Sequence, residues 1–497
     1  MTNWHIILAV VLLYLAANLV VGLWPSRRSS DTVAGYVAGD RDFGTVVMFF
    51  VTGASVYSAF AFLGGPGWAF SRGAAAFYIL GYGVLGIAPY FALGPWAARL
   101  GRKHGYVTQG AMLAHRFQNR WVAFTAGIVS VIAMVPYVAL QMRGAGIVLE
   151  QVTDGNIPLP LGAAMAYGVV LIYVWHSGVM GVGWTNVFQG VFMLVIAWIL
   201  GIYIPLQLYG GVGPMFEQIA AARPEMLTAP GLTAAGDPWT PVGYSSAIIV
   251  SAIGLMMWPH LFMKAFAAKD DATIRLTVML FPAFQLFLLP LFLVGFAGVL
   301  YSSAPSDPDA IMPHIILNSG LPAVVVGLFC AGALAASMST GDALVHGAAS
   351  IAVTDVYGSV RGEGRGDPLS QHDQRRLIRW LALVVGVVAY SIALQSGLSL
   401  VAMLLAAYGA VVQLAPSVYA AFLWRRASAH GVIAGLLVGI SVTGVLVIMP
   451  NWKPWGIHEG LVGLVAHIAT LVVVSLATPP PADTHVSEWL STSRAGD

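Results

Sequence analysis

The sequence predicts an all-α membrane protein that crosses the bilayer about thirteen times. Three observations carry that expectation. Hydrophobic residues make up 58% of the 497-residue chain and charged residues 9%, where soluble proteins carry about 25% charged residues. Apolar runs recur that are long enough to cross about 30 Å of hydrocarbon. Basic residues gather in alternate connections, as the positive-inside rule requires. Mean hydropathy is +0.80. A water-soluble enzyme, a nucleic-acid binder and a disordered chain are thereby excluded.

The apolar runs are numbered span 0 to span 12. They cover residues 4–24, 45–70, 75–98, 121–149, 160–176, 185–209, 243–266, 275–301, 321–357, 377–396, 398–424, 430–449 and 459–477. Span 0 has no Lys or Arg before it, and Arg27-Arg28 follow it. That is the wrong flank for a cleaved signal peptide, so it reads as a retained helix. Polar connections run from Ser26 to Asp42, Gly211 to Pro241 and Arg361 to Asp373. Span 8 exceeds one crossing, so it is tilted or extends into the cytoplasm. The Pro-, Ser- and Thr-rich tail from Pro479 is expected to be disordered.

Topology follows from the charges. With the N-terminus outside, 19 of the 23 basic residues fall on cytoplasmic segments, Lys264 and Lys269 among them. Arg72, Arg223 and Lys453 stay outside, and Arg143 lies within span 3. The C-terminus is then cytoplasmic.

Other totals exclude chemistry. None of the four lysines is followed by Ser or Thr, so there is no phosphate-binding P-loop. HExxH and GxSxG are missing. The lone Cys330 excludes an internal disulfide and reads as a small buried residue. Neither an enzyme nor an organic cofactor is expected.

Two spans are interrupted. Span 1 reads Thr52-Gly53-Ala54-Ser55-Val56-Tyr57-Ser58, then Gly64-Gly65-Pro66-Gly67. Span 6 reads Ser251-Ala252-Ile253-Gly254, then Trp258-Pro259-His260. Gly and Pro weaken helices, and hydroxyl side chains can pair the freed backbone groups. The two lie five spans apart, and a repeat of five spans must be inverted. Broken helices in corresponding positions of inverted repeats line a midplane site. The implied units are 1–44 (span 0 and a cytoplasmic loop), 45–209 (first repeat), 210–424 (outer loop and second repeat), 425–478 (two peripheral helices) and the tail 479–497. Span 8 adds Ala336-Ser337-Met338-Ser339-Thr340-Gly341-Asp342. Its hydroxyls and backbone carbonyls suit a hard cation such as Na⁺ without a fixed charge.

These residues resemble the sodium:solute symporter family from about Gly35 to Gly435. The Gly53-Ala54-Ser55 segment is similar to the family's first core helix, and the resemblance assigns sodium to the backbone oxygens of Ala54 and Tyr57. In span 8 it assigns Ala336, Ser339 and Thr340. The Thr354-Asp355-Val356-Tyr357 ending, Trp184-Thr185-Asn186-Val187-Phe188-Gln189, and Trp424-Arg425-Arg426 followed by Gly431 and Gly435 are also family-like. The resemblance implies a leucine-transporter-type core with one extra N-terminal and two extra C-terminal helices.

The chain departs from the family pattern in places. Asn186 stands where the family has Asp, and Ser177-Gly178 where it has Gly-Gly. Val56 replaces the Asp of proline carriers, and residues 75–98 lack the acid of sugar carriers. Pro136 to Gln141 and His104 to Thr108 look like the monocarboxylate branch, and Gly64 to Gly67 looks like the pantothenate carriers. A small organic anion is the implied solute, moved with Na⁺ across the cell membrane. Alternatives are proton coupling, another solute such as pantothenate or an amino acid, and a transporter-like sensor.

Candidate substrate contacts are Ser55, Ser58, Tyr137, Gln141, Arg143, Trp258 and Gln413, because a carboxylate site needs a few placed donors in an apolar pocket. Arg143 has two further readings: snorkelling, or pairing with Glu150 seven residues on. Asn186 and Asp342 are expected beside the cation site. Lipid is the expected surrounding, and no nucleic acid or obligate protein partner is implied.

Overall fold

Hydrocarbon offers no hydrogen bonds, so each crossing segment must pair its own peptide groups. The chain meets that demand with helices. The computed structural model describes residues 4–27, 32–361, 370–395 and 399–495. Arg28 and Arg365, both expected on cytoplasmic segments, lie outside these. Among the described residues there is no strand beyond two isolated bridges, Phe43 with Ala268 and Leu232 with Pro238.

Ten helices among the described residues are long and apolar enough to cross a membrane, or eleven if one bent pair counts as a single crossing. The chain is an integral membrane protein. Spans 4 and 5 follow each other without a loop within Leu159–Tyr209, as two helices that meet at Gly178. Gly178 breaks the helical path with φ 54° and ψ −143°, and a Cβ there would lie 2.5 Å from the Tyr36 carbonyl oxygen. Glycine alone fits that position.

Span 1 is broken as expected. Its first half, Thr45–Val56, ends at Tyr57 (φ −95°, ψ 89°). A π-helical turn, Phe60–Gly64, then leads into Gly65–Arg72. Span 6 comprises Pro241–Leu255 and Pro259–Ala267, bent by 43°. Pro259 opens the second piece, where a missing N–H costs nothing. Span 8 begins as Ala323–Ile351, continues through a π-helix, Ala352–Tyr357, and ends at Arg361. It is buried from Phe329 to Ile351 and packs on spans 0, 1, 3 and 5. Asp355 anchors its far end by accepting from Thr108 Oγ1 at 2.5 Å.

The basic residues of the expected cytoplasmic segments gather at one end of the bundle. Arg99 and Arg102 hold Asp271 at 2.5 Å each. Arg41 donates to the carbonyls of Phe266 and Tyr106 at 2.9 Å. Lys264 departs from this pattern: its side chain is buried between spans 1 and 6 and is not at the surface.

The tail is a second correction. Asp483–Arg494 is a helix, with Val486, Trp489, Leu490 and Ser493 buried. Their i, i+3, i+4, i+7 spacing makes one apolar stripe, a signal that the polar composition masked. The stripe seats Trp489 beside Phe422 with ring centroids 5.0 Å apart. Lys103–Glu488 (3.1 Å) and Arg425–Asp483 (2.9 Å) flank it. Replacing a buried Trp by Ala costs about 3–5 kcal/mol. Trp489→Ala should therefore lower the melting temperature of the purified protein by several degrees and expose the tail to protease. An unchanged melt would show that the helix does not dock.

Candidate functional site

The break in span 1 exposes carbonyl oxygens, and span 8 supplies the hydroxyls that meet them. Ser339 Oγ donates to Ala54 O at 2.9 Å and lies 3.2 Å from Ala336 O. Thr340 Oγ1 lies 3.3 Å from Ala54 O and 3.2 Å from Ser55 O. Four of the five predicted cation ligands thus form one oxygen nest. Tyr57 stands at the break itself, and its ring points away, against Phe281, Phe284 and Phe287. Small neighbours make the approach possible: a Cβ on Gly53 would sit 2.5 Å from Phe284, and one on Gly341 2.0 Å from the Tyr167 hydroxyl.

A polar cluster backs the nest. Asp342 is fully buried and accepts from Tyr173 OH at 2.7 Å, Thr185 Oγ1 at 3.1 Å and Asn186 Nδ2 at 3.4 Å. Asn186 Oδ1 lies 3.5 Å from Ser55 Oγ. Asn186 and Asp342 therefore both lie behind the oxygen nest. Lys264 joins from span 6: its ammonium donates to Val51 O and, at 2.6 Å, to Ser55 Oγ. The sequence reading missed this residue. Its position five residues after Pro259, on the same broken span, was the available signal.

Of the seven solute candidates, Ser55 faces Lys264 and Asn186 at the nest, and the other six divide into two groups. Tyr137 OH lies 3.4 Å from Ser58 Oγ, and the Tyr137 and Trp258 rings are 4.7 Å apart. Trp258 continues to Tyr408 (5.6 Å), Tyr408 to Tyr82 (5.5 Å) and Tyr82 to Tyr78 (5.0 Å). Gln141, one turn from Tyr137, accepts from the Ala59 N–H at 3.0 Å, while its buried Nε2 has no partner. Ser58, Tyr137, Gln141 and Trp258 thus line one aromatic region beside the nest, drawn from spans 1, 3 and 6.

Gln413 and Arg143 belong elsewhere. Gln413 Nε2 bonds Gly409 O, Thr443 Oγ1 and Gly460 O at 3.1–3.2 Å, tying span 10 to the two peripheral helices. Arg143 follows Gln141 by two residues, about 200° around the helix, so it faces away from the solute group. It does not pair with Glu150, whose carboxylate accepts from the Leu159 N–H at 3.2 Å. That carboxylate caps the next helix instead.

The sequence profile of the sodium:solute symporter family matches residues 36–439. The chain belongs to the sodium:solute symporter family. This symporter is 27% identical over 95% of its length to the uncharacterized symporter YhjB of Bacillus subtilis (strain 168), covering 97% of that protein. It is 26% identical to the monocarboxylate transport permease protein of Rhizobium johnstonii, over 96% of this chain and 97% of the other. Its fold matches that of a substrate-bound, outward-open Na⁺-coupled sialic acid symporter with a TM-score of 0.78 at 19% identity, over 96% and 98% of the two chains.

At the other end of the symporter, Asp309 joins the connection between spans 7 and 8 to span 10. It accepts from the Leu400 N–H at 2.7 Å, and a Cβ on Gly67 of span 1 would touch its Oδ1 at 3.1 Å. Arg143 and Arg72 act on it as positive charges. Burial nevertheless dominates and pushes the carboxyl up to about 6. The folded state therefore holds this proton more tightly than the unfolded chain does. The resulting stability is complete below about pH 4 and is lost as pH rises through about 6, a change of about 3 kcal/mol. The melting temperature of Asp309→Asn relative to wild type should rise from pH 4 to pH 7. A constant difference would refute the assignment.

Proposed function

We propose that this protein is a sodium-coupled symporter that imports a small organic anion of the monocarboxylate type by alternating access. In this reading the chain has thirteen spans. Spans 1 to 10 form a five-plus-five inverted repeat, with the N-terminus outside and the C-terminus in the cytoplasm. One observation carries it: Ala54 O, Ala336 O, Ser339 Oγ and Thr340 Oγ1 converge at the break of span 1. An oxygen set without a fixed charge suits a small hard cation that must also be released.

The solute is placed beside the nest, against Tyr137, Trp258, Ser58 and the unpaired amide of Gln141. A buried amide donor without a partner is costly, and a carboxylate oxygen would satisfy it. The family likeness of residues 104–108 and 136–141 and the Rhizobium permease's name support a monocarboxylate. Binding of both ligands closes the outer side, and rocking of one bundle against the other releases them inside. The sodium gradient and the membrane potential supply the energy, about 2.3 kcal/mol per charge per 100 mV.

The test is uptake of labelled pyruvate, lactate and acetate into proteoliposomes under an inward Na⁺ gradient, with K⁺ replacing Na⁺ as control. Uptake of at least one solute should require Na⁺. Thr340→Val removes one oxygen ligand while keeping the shape. A hydrogen bond or ligand contact to a charge is worth about 1.5–3 kcal/mol, so the half-saturating Na⁺ concentration should rise about tenfold or more. Uptake driven equally well in K⁺ would overturn sodium coupling. An unchanged Na⁺ dependence in Thr340→Val would remove the site from span 8.

A further inference from the structure

Lys264 is the residue that neither the oxygen nest nor the solute region uses. Its side chain is buried, with 5% of its surface exposed. An ammonium is kept in such a place only by oxygen acceptors and a compensating charge. Both are present. Val51 O and Ser55 Oγ accept from it. Val51 lies one turn before Ala54 and Ser55, the residues whose carbonyls meet span 8. The ammonium is therefore anchored about one helical turn, roughly 5 Å, along span 1 from the nest.

The compensating charge is Asp342. Ser55 Oγ lies 3.3 Å from Ser339 O and 3.5 Å from Asn186 Oδ1, and Asn186 Nδ2 lies 3.4 Å from Asp342 Oδ1. A continuous polar chain thus links the ammonium on span 6 to the carboxylate on span 8. Asp342 has hydroxyl and amide donors on three residues, and among the described residues no cationic side chain bonds to it directly.

A charge count follows. Lys264 and Asp342 together sum to zero, whichever of them holds the proton. One Na⁺ and one monocarboxylate also sum to zero. The loaded core is then neutral, which suits a group of ligands that must cross a low-dielectric region together. A second Na⁺ would leave one uncompensated positive charge there.

We propose that Lys264 is a tethered cation that limits the carrier to one Na⁺ per cycle, its ammonium standing in for a second ion beside Asp342. This deepens the symporter reading and rests on it. A neutral residue at position 264 leaves the Asp342 charge uncompensated and opens room next to a cavity of about 30 Å³ lined by Val51, His260, Lys264 and His346. A free Na⁺ takes that place. Lys264 touches no transported ligand in this scheme: it is a charge-balancing residue that sets stoichiometry.

The experiment is saturation binding of ²²Na⁺ to the purified full-length protein, counted per mole of protein, with no organic solute present. Wild type should bind one Na⁺, and Lys264→Ala should bind two. Lys264→Gln, which retains most of the side-chain stem, is the second neutral variant and should also bind two. Lys264→Arg keeps the charge and should bind one. Lys264→Ala combined with Asp342→Asn removes both charges and should return to one. A purely structural role for Lys264 would not produce this pattern. Two Na⁺ in wild type, or one in both neutral variants, overturns the proposal while leaving sodium coupling standing. No Na⁺ bound to wild type removes the symporter reading and this proposal together.

Discussion

A helix cut open inside a membrane protein leaves peptide groups that lipid cannot satisfy, and in this chain span 8 satisfies those of span 1. Ser339 and Thr340 reach the carbonyls of Ala54 and Ser55, and Gln141 on span 3 takes the Ala59 N–H beyond the break. Ser337 in turn donates to the Gln141 carbonyl at 2.7 Å. Three spans are thereby locked around one interruption. The small residues of span 8 follow from this demand. A larger side chain at Gly341 would displace the Tyr167 hydroxyl, which itself lies 3.1 Å from Ser337 O. The same oxygens that stabilise the break form the nest.

Charges are distributed by depth. At one end, arginines clasp carbonyls and carboxylates and dock the C-terminal helix. In the middle, Lys264 and Asp342 face each other through Ser55 and Asn186. At the far end, Asp309 ties the connection before span 8 to the start of span 10. Each layer ties together segments that lie far apart in the chain. The 43° bend of span 6 and the π-turn of span 1 are places where backbone pairing is already irregular, so movement there disrupts the least hydrogen bonding.

Much of this was legible in the chain itself. Hydropathy showed a helical membrane protein with many crossing segments, because length and apolarity are what lipid selects. The Gly-, Pro- and Ser-rich interruptions marked both breaks, because those residues change backbone pairing. The hydroxyl run of span 8 was readable as a set of oxygen ligands, and the family resemblance singled out Ala336, Ser339 and Thr340 within it. The errors have physical causes. Lys264 read as a flanking charge because a hydropathy window sees a charge but not the carbonyl that receives it. Arg143 drew attention as an intramembrane charge, yet its helical phase turns it away from Gln141. The tail's composition is polar, and composition ignores the stripe formed by Val486, Trp489 and Leu490.

By itself the sequence determined the helical class, the spacing of the breaks and the chemistry available at each, because these depend on residue type and local order. Tertiary structure alone decided which donors meet which acceptors. Ser55 lies 284 positions from Ser339 and 131 from Asn186 along the chain. Gln413 carries the same amide as Gln141, yet it serves the peripheral helices while Gln141 faces the break. The difference lies in the direction each helix face takes after packing, and backbone approach at Gly439 and Gly463 settles it for Gln413.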